Sequence, residues 1–368
     1  MADDLKTPLG LMPPRNPRRR LVGAAIAGGA VAALLAAGFI AAGLLRQPGP
    51  TATAVIDAPT DRPPIAPDRT GSLPPPTGLI EVAPDGALTE IGGEVVIHDP
   101  SDPAPLRLAA GPDIALLEET SYGPLPRVGD DGARPLDAYA RPAADDDREI
   151  RVAIVVGGIG VDSDGTRRAI ATLPGAVTLA FAPYGDDLAR DLARARAAGH
   201  EILLQVPLEP FSYPATDPGP HTLTTDAAVE ENLARLRWVM GRITTYVGVV
   251  NYMGARFTGD PEALAPVLEE IGGRGLLYLD DGSSSRSRAG EVAANRAPFL
   301  RADLVLDADL TAAAIDERLR QLAALARERG FAIATATAFP VTIERVAAFA
   351  RAAADRGIAI VPLTALAP

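Results

Sequence analysis

The stretch IRVAIVVGGIGVD, residues 150–162, decides the fold class, because it joins a buried strand pattern to a glycine-rich turn. Its Val and Ile residues follow one another without polar alternation, as in strands that are buried on both faces. Similar apolar runs recur through the rest of the chain. The predicted strands are 152–156, 177–181, 202–206, 246–250, 276–280, 304–306, 331–336 and 358–362.

Amphipathic stretches of 10–18 residues separate these runs and carry helix boundary signals. Asp260 before Pro261 predicts an N-cap followed by proline at the first helical position, and Gly272 predicts the end of that helix. Thr311 predicts the start of another long helix and Gly330 its end. Strand and helix alternate seven or eight times over about 220 residues, which predicts an α/β fold with a (β/α) barrel. A doubly wound open sheet is the alternative.

The composition excludes several classes of site. The chain has 368 residues, of which 47% are hydrophobic and 22% charged, so it has ample material for a core. It has no Cys, which excludes disulfides, thiolate zinc sites and Cys nucleophiles. Only three His residues are present, which leaves little room for a His-rich metal centre. The net charge of −12 argues against a nucleic-acid partner, because phosphate binding needs a basic surface.

Residues 21–45 contain no charged residue and are long enough, at about 1.5 Å per helical residue, to cross a bilayer. Four arginines lie between residues 15 and 20, but only Arg46 follows the apolar run directly. This asymmetry predicts a basic cytoplasmic tail over residues 1–20, a single transmembrane helix over 21–45 and an exported remainder. A cleaved secretory signal, with its cleavage site near Ala54, and a buried soluble helix are the alternatives.

Residues 46–148 hold 18 of the 35 prolines and predict a Pro-rich linker. Proline fixes φ and removes a donor, so the linker should be extended and semi-rigid as far as about residue 77. From about residue 79, short apolar pieces predict a few strands that pack on the following domain, since they hold too little core to fold alone. Residues 149–368 are the predicted main domain.

Functional residues of a barrel or an open parallel sheet lie at the carboxyl ends of its strands. The turn after the first strand does not fit a dinucleotide, because Ser163 stands where a third glycine belongs. Asp162, His221 and Asp280 can approach one another there as a catalytic or metal-binding set, although no two stand at metal-like spacing. The serines at 283–285 are interpreted as turn formers, because no His follows His221.

Aromatic and polar residues at these strand ends favour a carbohydrate site. Only 4% of the residues are aromatic, and several fall in or near these loops: Phe211, Tyr213, Trp238, Tyr252 and Phe257. Flat rings beside amide, carboxylate and guanidinium groups fit the apolar face and the hydroxyls of a sugar. The predicted ligand-binding residues are Gln205, Glu209, His221, Asn251, Tyr252, Arg256, Asp280 and Asp281. The alternative is that the rings only close the top of the barrel.

Three strings at these strand ends resemble the divergent polysaccharide deacetylase family, in particular exported or membrane-anchored members from Gram-negative bacteria. They are LLQVPLEPFSYPATDPGPHTL, VGVVNYMGARFT and LLYLDDGSS, and the resemblance covers about residue 150 to the C-terminus. The resemblance implies an irregular (β/α) barrel of seven strands and relatives that remove acetyl groups from sugar polymers. It also implies a divalent metal such as zinc, held by Asp and His.

The sequence departs from this family pattern at the implied metal site. Gly157 and Gly158 stand where the family has paired aspartates, and Gln205 and Tyr252 stand where it has histidines. Amide and phenol groups bind divalent cations poorly compared with carboxylate and imidazole. We therefore expect no metal cofactor, and we expect water activation by the family's route to fail.

These observations predict an inner-membrane protein whose domain 149–368 lies in the periplasm and binds an envelope glycan or a peptidoglycan-like polymer. Two alternatives stand beside this prediction. One is an active glycan deacetylase with a relocated centre on Asp162, His221 and Asp280. The other is a non-catalytic periplasmic scaffold that uses the Pro-rich arm.

Overall fold

The computed structural model describes residues 80–82, 88–90, 108–109, 111–143 and 150–368. The predicted tail 1–20 and transmembrane helix 21–45 lie outside these residues. Among the helices that are described, none is long and apolar enough to span a bilayer.

The chain divides into two units, Met1–Val95 and Val96–Pro368. In the first unit, strands β1 (Ile80–Val82) and β2 (Leu88–Glu90) pair antiparallel.

The second unit is built on a parallel sheet of nine strands, which a short antiparallel hairpin precedes. The hairpin consists of β3 (Leu117–Thr120) and β4 (Gly123–Pro126). The sheet strands are β5 (Ile150–Ile159), β6 (Thr178–Phe181), β7 (Ile202–Leu208), β8 (Gly248–Met253), β9 (Leu277–Asp280), β10 (Phe299–Arg301), β11 (Leu304–Val305), β12 (Phe331–Thr337) and β13 (Ile358–Ile360). Each predicted strand has a counterpart, whereas β10 is too short to give a pattern in the sequence.

Helices alternate with the sheet strands along the chain. They are α1 (Pro135–Ala138), α2 (Ser163–Thr172), α3 (Leu188–Ala197), α4 (Val229–Met240), α5 (Pro261–Gly273), α6 (Ala289–Ala293), α7 (Ala312–Arg329) and α8 (Pro340–Arg351). Asp260 Oδ1 accepts hydrogen bonds from two backbone N–H groups in the first turn of α5, at 3.0 and 3.2 Å. Thr311 Oγ1 accepts one from the first turn of α7 at 3.3 Å, and Gly330 follows that helix. Both predicted helices are confirmed.

The sheet curls until one segment joins its two ends. The strand order is β10-β9-β8-β7-β6-β5-β12-β11, and β13 pairs with β5 beside this path. Only Ala302 and Asp303 separate β10 from β11, yet β10 pairs with β9 and β11 pairs with β12. The Ala302 N–H donates to Asp280 O at 2.9 Å, and the Asp303 N–H donates to Ile333 O at 2.8 Å. The α/β class with a curled parallel sheet is confirmed, but within the described residues β10 and β11 do not pair to close the sheet into a full barrel.

Both faces of the curled sheet are covered by apolar side chains, as parallel strands require. In β5, Val152 and Ile154 belong to a cluster that includes residues of the surrounding helices. Ala153 and Val155 belong to a second cluster, which contains no residue of α2–α8 and lies inside the curl. Successive residues of the strand therefore face the helices and the inside in turn.

Three large side chains from residues 111–143 fill the inside of the curl at its amino edge. Leu116, Leu136 and Tyr139 are buried in the same cluster as the inward-facing strand residues. The Leu136 N–H donates to Gly275 O at 3.1 Å, and Gly275 lies just before β9. Because these side chains come from outside residues 149–368, the interior of the sheet depends on the chain that precedes that range.

A buried arginine and a buried glutamate attach this segment to the sheet. Arg196 Nη1 donates to Tyr139 O at 2.7 Å, and Glu201 Oε2 accepts the N–H of Arg141 at 3.2 Å. Glu201 Oε1 also accepts the N–H of Thr364 at 3.1 Å. Burial raises the pKa of the Glu201 carboxyl, although these hydrogen bonds oppose the shift. Both buried charges therefore have hydrogen-bond partners.

Candidate functional site

The carboxyl edge of the curled sheet is formed by the ends of β5, β7, β8, β9 and β12 and by the residues that follow them. We call this edge the mouth. Four of the nine exposed large apolar side chains in the described residues lie in it: Val161, Phe211, Tyr252 and Phe339. Apolar surface that gathers at one edge marks a place where a ligand or partner makes contact.

Gly157, in β5, and Gln205, in β7, fit against each other at the mouth. The Gly158 N–H donates to Gln205 Oε1 at 2.8 Å, which fixes the orientation of the amide. A Cβ atom on Gly157 would lie 2.7 Å from Gln205 Nε2, so the amide occupies the space that a side chain at position 157 needs. Gly158 has a φ of 76°, a left-handed conformation that favours glycine. The backbone and the neighbouring amide therefore both match glycine here.

The divalent metal that the family resemblance implies does not fit these residues. Gly157 and Gly158 have no side chain, and Gln205 Oε1 already accepts the Gly158 N–H. Tyr252 offers a phenol, whereas hydrolytic metals take imidazole or carboxylate ligands. Across the part of the chain that the structure describes, no three His, Asp or Glu side chains are grouped closely enough to hold a metal ion.

Asn251 is buried and organises the end of β8. Its Nδ2 donates to Met253 O at 2.7 Å, and its Oδ1 accepts the N–H of Asp281 at 2.9 Å. Met253 has a φ of 59°, which is uncommon for a residue with a side chain and often marks a functional turn. Tyr252, between Asn251 and Met253 in the chain, is 41% exposed at the mouth. The Asn251 amide is thus used to hold Met253 and Asp281 in place.

Asp280 and Asp281, at the end of β9, have different surroundings. Asp280 is only 1% exposed, and its Oδ1 accepts the Gly282 N–H at 3.0 Å. Its Oδ2 has no hydrogen-bond partner in the described residues and lies 4.0 Å from Arg301 Nε. Asp281 Oδ1 accepts the N–H and the hydroxyl of Ser283, at 2.9 and 2.7 Å. Burial raises the pKa of the Asp281 carboxyl, while the hydrogen bonds from Ser283 oppose the shift.

Glu209 joins three segments around the end of β7. Its side chain is 2% exposed, and Oε1 accepts a hydrogen bond from Arg256 Nη1 at 2.9 Å. Oε2 accepts the N–H and the hydroxyl of Thr225, at 2.7 and 2.9 Å. Arg256 also lies 3.4 Å from Asp226. The structure therefore brings the predicted residues Glu209 and Arg256 together, in an ion pair that fixes the loops of the mouth.

Asp162 and His221 have partners of their own and are not grouped with Asp280. Asp162 caps α2, where its Oδ2 accepts the backbone N–H three residues further on at 2.6 Å. The His221 ring stacks on Trp238 of α4, with ring centroids 3.6 Å apart. Burial lowers the pKa of the His221 imidazole, and nearby arginines lower it further. In the described residues, Asp162, His221 and Asp280 therefore form no group that could hold a metal ion.

Two contacts of the mouth had no signal in the sequence. The Arg286 guanidinium lies over the ring of Phe211 and so connects the loops that follow β7 and β9. The Thr335 hydroxyl, in β12, donates to Asp281 O at 2.8 Å. Both contacts join segments that are far apart in the chain, and only the curled sheet brings them together.

Several known proteins are similar to this chain. YibQ, an uncharacterized protein of Escherichia coli K12, is 23% identical over 194 residues, which are 52% of this chain and 60% of YibQ. An uncharacterized protein of Haemophilus influenzae is 25% identical over 194 residues, which are 52% of this chain and 68% of that protein. The crystal structure of the uncharacterized protein ATU2773 from Agrobacterium tumefaciens C58 is 49% identical, with a TM-score of 0.65. That similarity covers 66% of this chain and 99% of the other.

The family match covers the part of the chain that holds the mouth. Residues 154–367 match the divergent polysaccharide deacetylase family. This range is more than half of the 368 residues, and it includes the strings on which the resemblance was based. The similarity to YibQ extends over less than two thirds of that protein, so it says nothing about the rest of YibQ. The chain belongs to the divergent polysaccharide deacetylase family.

Proposed function

We propose that the protein binds an envelope glycan, such as a peptidoglycan-like polymer, at the mouth and has lost the metal centre of its family. The observation that carries this proposal is that Gly157 and Gly158 offer no side-chain ligand, while Gln205 Oε1 already accepts the Gly158 N–H. Family membership supports a carbohydrate ligand. The fold alone does not fix the activity, because the activity depends on the residues of the site.

The groups at the mouth suit a sugar. Tyr252 and Phe211 are exposed aromatic side chains, and the apolar face of a sugar packs well on such rings. Gln205 Nε2 has no acceptor among the described residues, so its N–H groups are free to donate to a sugar oxygen. Small-molecule sites combine apolar surface with a few fixed polar groups in this way.

The experiment uses the full-length protein, purified in mild detergent. We expect no stoichiometric divalent metal by elemental analysis, and no acetate release from acetylated peptidoglycan fragments. We expect saturable binding of the same fragments in calorimetric titration. Stoichiometric metal together with chelator-sensitive acetate release would contradict the loss of the metal centre. Absence of fragment binding would contradict the glycan ligand and favour the scaffold.

Tyr252→Ala is expected to weaken fragment binding about tenfold, because it removes an exposed ring from the mouth. The matched control is Phe331→Ala. Phe331 is 40% exposed, like Tyr252, but it is the first residue of β12 and lies at the opposite edge of the sheet. Calorimetric titration compares the two variants. An equal loss in both, or no loss in Tyr252→Ala, would place the ligand away from the mouth.

We also propose that residues 21–45 anchor the protein in the inner membrane, with residues 149–368 in the periplasm. The support is the charge asymmetry: four arginines lie between residues 15 and 20, and only Arg46 follows the apolar run directly. A reporter that works only outside the cytoplasm is expected to be active when it is fused after Pro48. Activity of a cytoplasm-only reporter at the same position would refute this topology.

A further inference from the structure

The loop after β9 reads SSSRSR at residues 283–288. Its hydroxyl and guanidinium groups are all hydrogen-bond donors. Ser283, Ser285 and Arg286 are exposed, whereas Ser284 is buried. The Ser283 hydroxyl donates to Asp281, so Ser285 and Arg286 supply the donors and the positive charge that the loop presents to solvent.

Hydrogen bonds from two sides hold this loop in place. Arg301 Nη2 donates to Ser284 O at 2.8 Å, and the Arg288 N–H donates to Thr258 O at 2.8 Å. Within the loop, the Arg286 N–H donates to Ser284 Oγ at 3.3 Å. Because the backbone of the loop is already fixed, ligand binding does not have to order it, and the entropic cost of binding is small.

Arg286 is the arginine of this region whose charge is available to a ligand. Arg288 pairs with Glu291 at 2.8 Å, and Arg256 pairs with Glu209 at 2.9 Å. Within the described residues, no Asp or Glu forms an ion pair with Arg286, whose guanidinium contacts an aromatic ring instead. A guanidinium presents paired donors that match the two oxygens of a carboxylate.

The ring that Arg286 contacts belongs to Phe211, in the loop after β7. The Arg286 Cζ atom lies 5.4 Å from the centroid of this ring. Phe211 is nevertheless 58% exposed, so part of its apolar surface is free. Because β8 lies between β7 and β9 in the sheet, the contact spans the end of β8, where Tyr252 is also exposed. An apolar surface and an available cation therefore lie side by side.

We propose that Phe211 and Arg286 form a subsite for a sugar that carries a carboxylate. The apolar face of the sugar packs on the free part of the Phe211 ring, and the carboxylate accepts hydrogen bonds from the Arg286 guanidinium. This inference rests on the proposed glycan binding and narrows the ligand to an acidic glycan. The net charge of −12 opposes a general attraction of anions by the protein, so the recognition is local.

The test uses the full-length protein and two forms of the same peptide-free peptidoglycan fragments, one with free carboxylates on its sugars and one with these carboxylates methyl-esterified. The free-acid form is expected to bind about tenfold more tightly, because the ester has no charge to pair with the guanidinium. Arg286→Gln is expected to lower the affinity for the free acids to that for the esters, and to leave ester binding unchanged. Phe211→Ala is expected to weaken both forms alike.

Arg356→Gln is the matched control. Arg356 is exposed, its replacement removes the same charge, and it lies just before β13, at the opposite edge of the sheet. Equal binding of free acids and esters by the unmodified protein would overturn the inference but leave glycan binding intact. An equal loss in Arg286→Gln and Arg356→Gln would overturn it too, because it would indicate general charge attraction. No binding of either form would contradict the proposed function, and this inference with it.

Discussion

A chain that begins at Glu149 is expected to show no cooperative thermal transition, whereas a chain that begins at Val96 is expected to unfold cooperatively. The shorter chain lacks Leu116, Leu136 and Tyr139, which fill the inside of the curled sheet at its amino edge. Removing one such buried side chain costs roughly 2–5 kcal/mol. Native domains are stable by only about 5–15 kcal/mol, so the loss of all three side chains is comparable with the whole free energy of unfolding.

Circular dichroism during heating measures this transition, and limited proteolysis detects a loosened chain. The deletion also removes the partners that Tyr139 and Arg141 supply to the buried Arg196 and Glu201. A buried charge without its partner is strongly destabilising. Leu136→Ala in the longer chain is a milder form of the same change, with an expected cost of about 2–5 kcal/mol. Equal melting temperatures for the two chains would show that the sheet does not need the preceding segment.

Gly254→Ala is expected to destabilise the protein by about 2–5 kcal/mol and to abolish glycan binding. Gly254 has a φ of 93°, which costs a residue with a side chain roughly 1–2 kcal/mol. A Cβ atom at this position would also lie 2.5 Å from the Cβ atom of Leu208, which is buried in β7. Relief of this contact moves the end of β8 away from β7 and displaces Tyr252.

The control for Gly254→Ala is Gly357→Ala, which separates the two causes of the loss. Gly357 has a φ of 70°, but no atom lies within 4 Å of its Cβ position. This variant should therefore lose only the conformational part, about 1–2 kcal/mol. Urea unfolding of the two variants gives the difference. If both lose the same free energy, the contact with Leu208 is not costly and the argument about the mouth fails.

The fold was predictable where local signals agree with the global structure. The run of Val and Ile at 152–156 lies within β5, and Asp260 caps α5 as its position before a proline indicates. The strands that were missed lack such signals. β10 has three residues, FLR, and β4 contains two prolines, which are unusual in a strand. Their pairing depends on the rest of the sheet, which a short window of sequence does not contain.

The sequence predicted which residues lie at the candidate site, but not the contacts that their side chains make. Glu209 and Asn251 were expected to face a ligand, but their polar atoms bind other parts of the protein. His221 was expected to be able to approach Asp280 at the strand ends, and the structure stacks its ring on Trp238 of α4. It belongs to a long loop, and sequence alone does not fix where a residue of such a loop lies.

The departure from the pattern that the family resemblance implies was visible in the sequence, but the contact between the residues at these positions was not. The sequence indicates that Gly157, Gly158 and Gln205 differ from the family pattern. In the structure, the amide of Gln205 bonds to the backbone of Gly158 and occupies the space beside Gly157. Gly157 and the Gln205 amide are therefore in close contact, and a side chain at position 157 would require the amide to move.

The pairing of β5 has a consequence for biosynthesis. This strand is synthesised well before two of its neighbours, β12 and β13. A nascent chain therefore carries a Val- and Ile-rich strand with an unpaired edge until β12 and β13 have been synthesised. Unpaired edges of this kind recruit strands from other chains and cause aggregation. Chains that terminate before β12 should be substrates for chaperones and proteases, even though they contain most of the mouth.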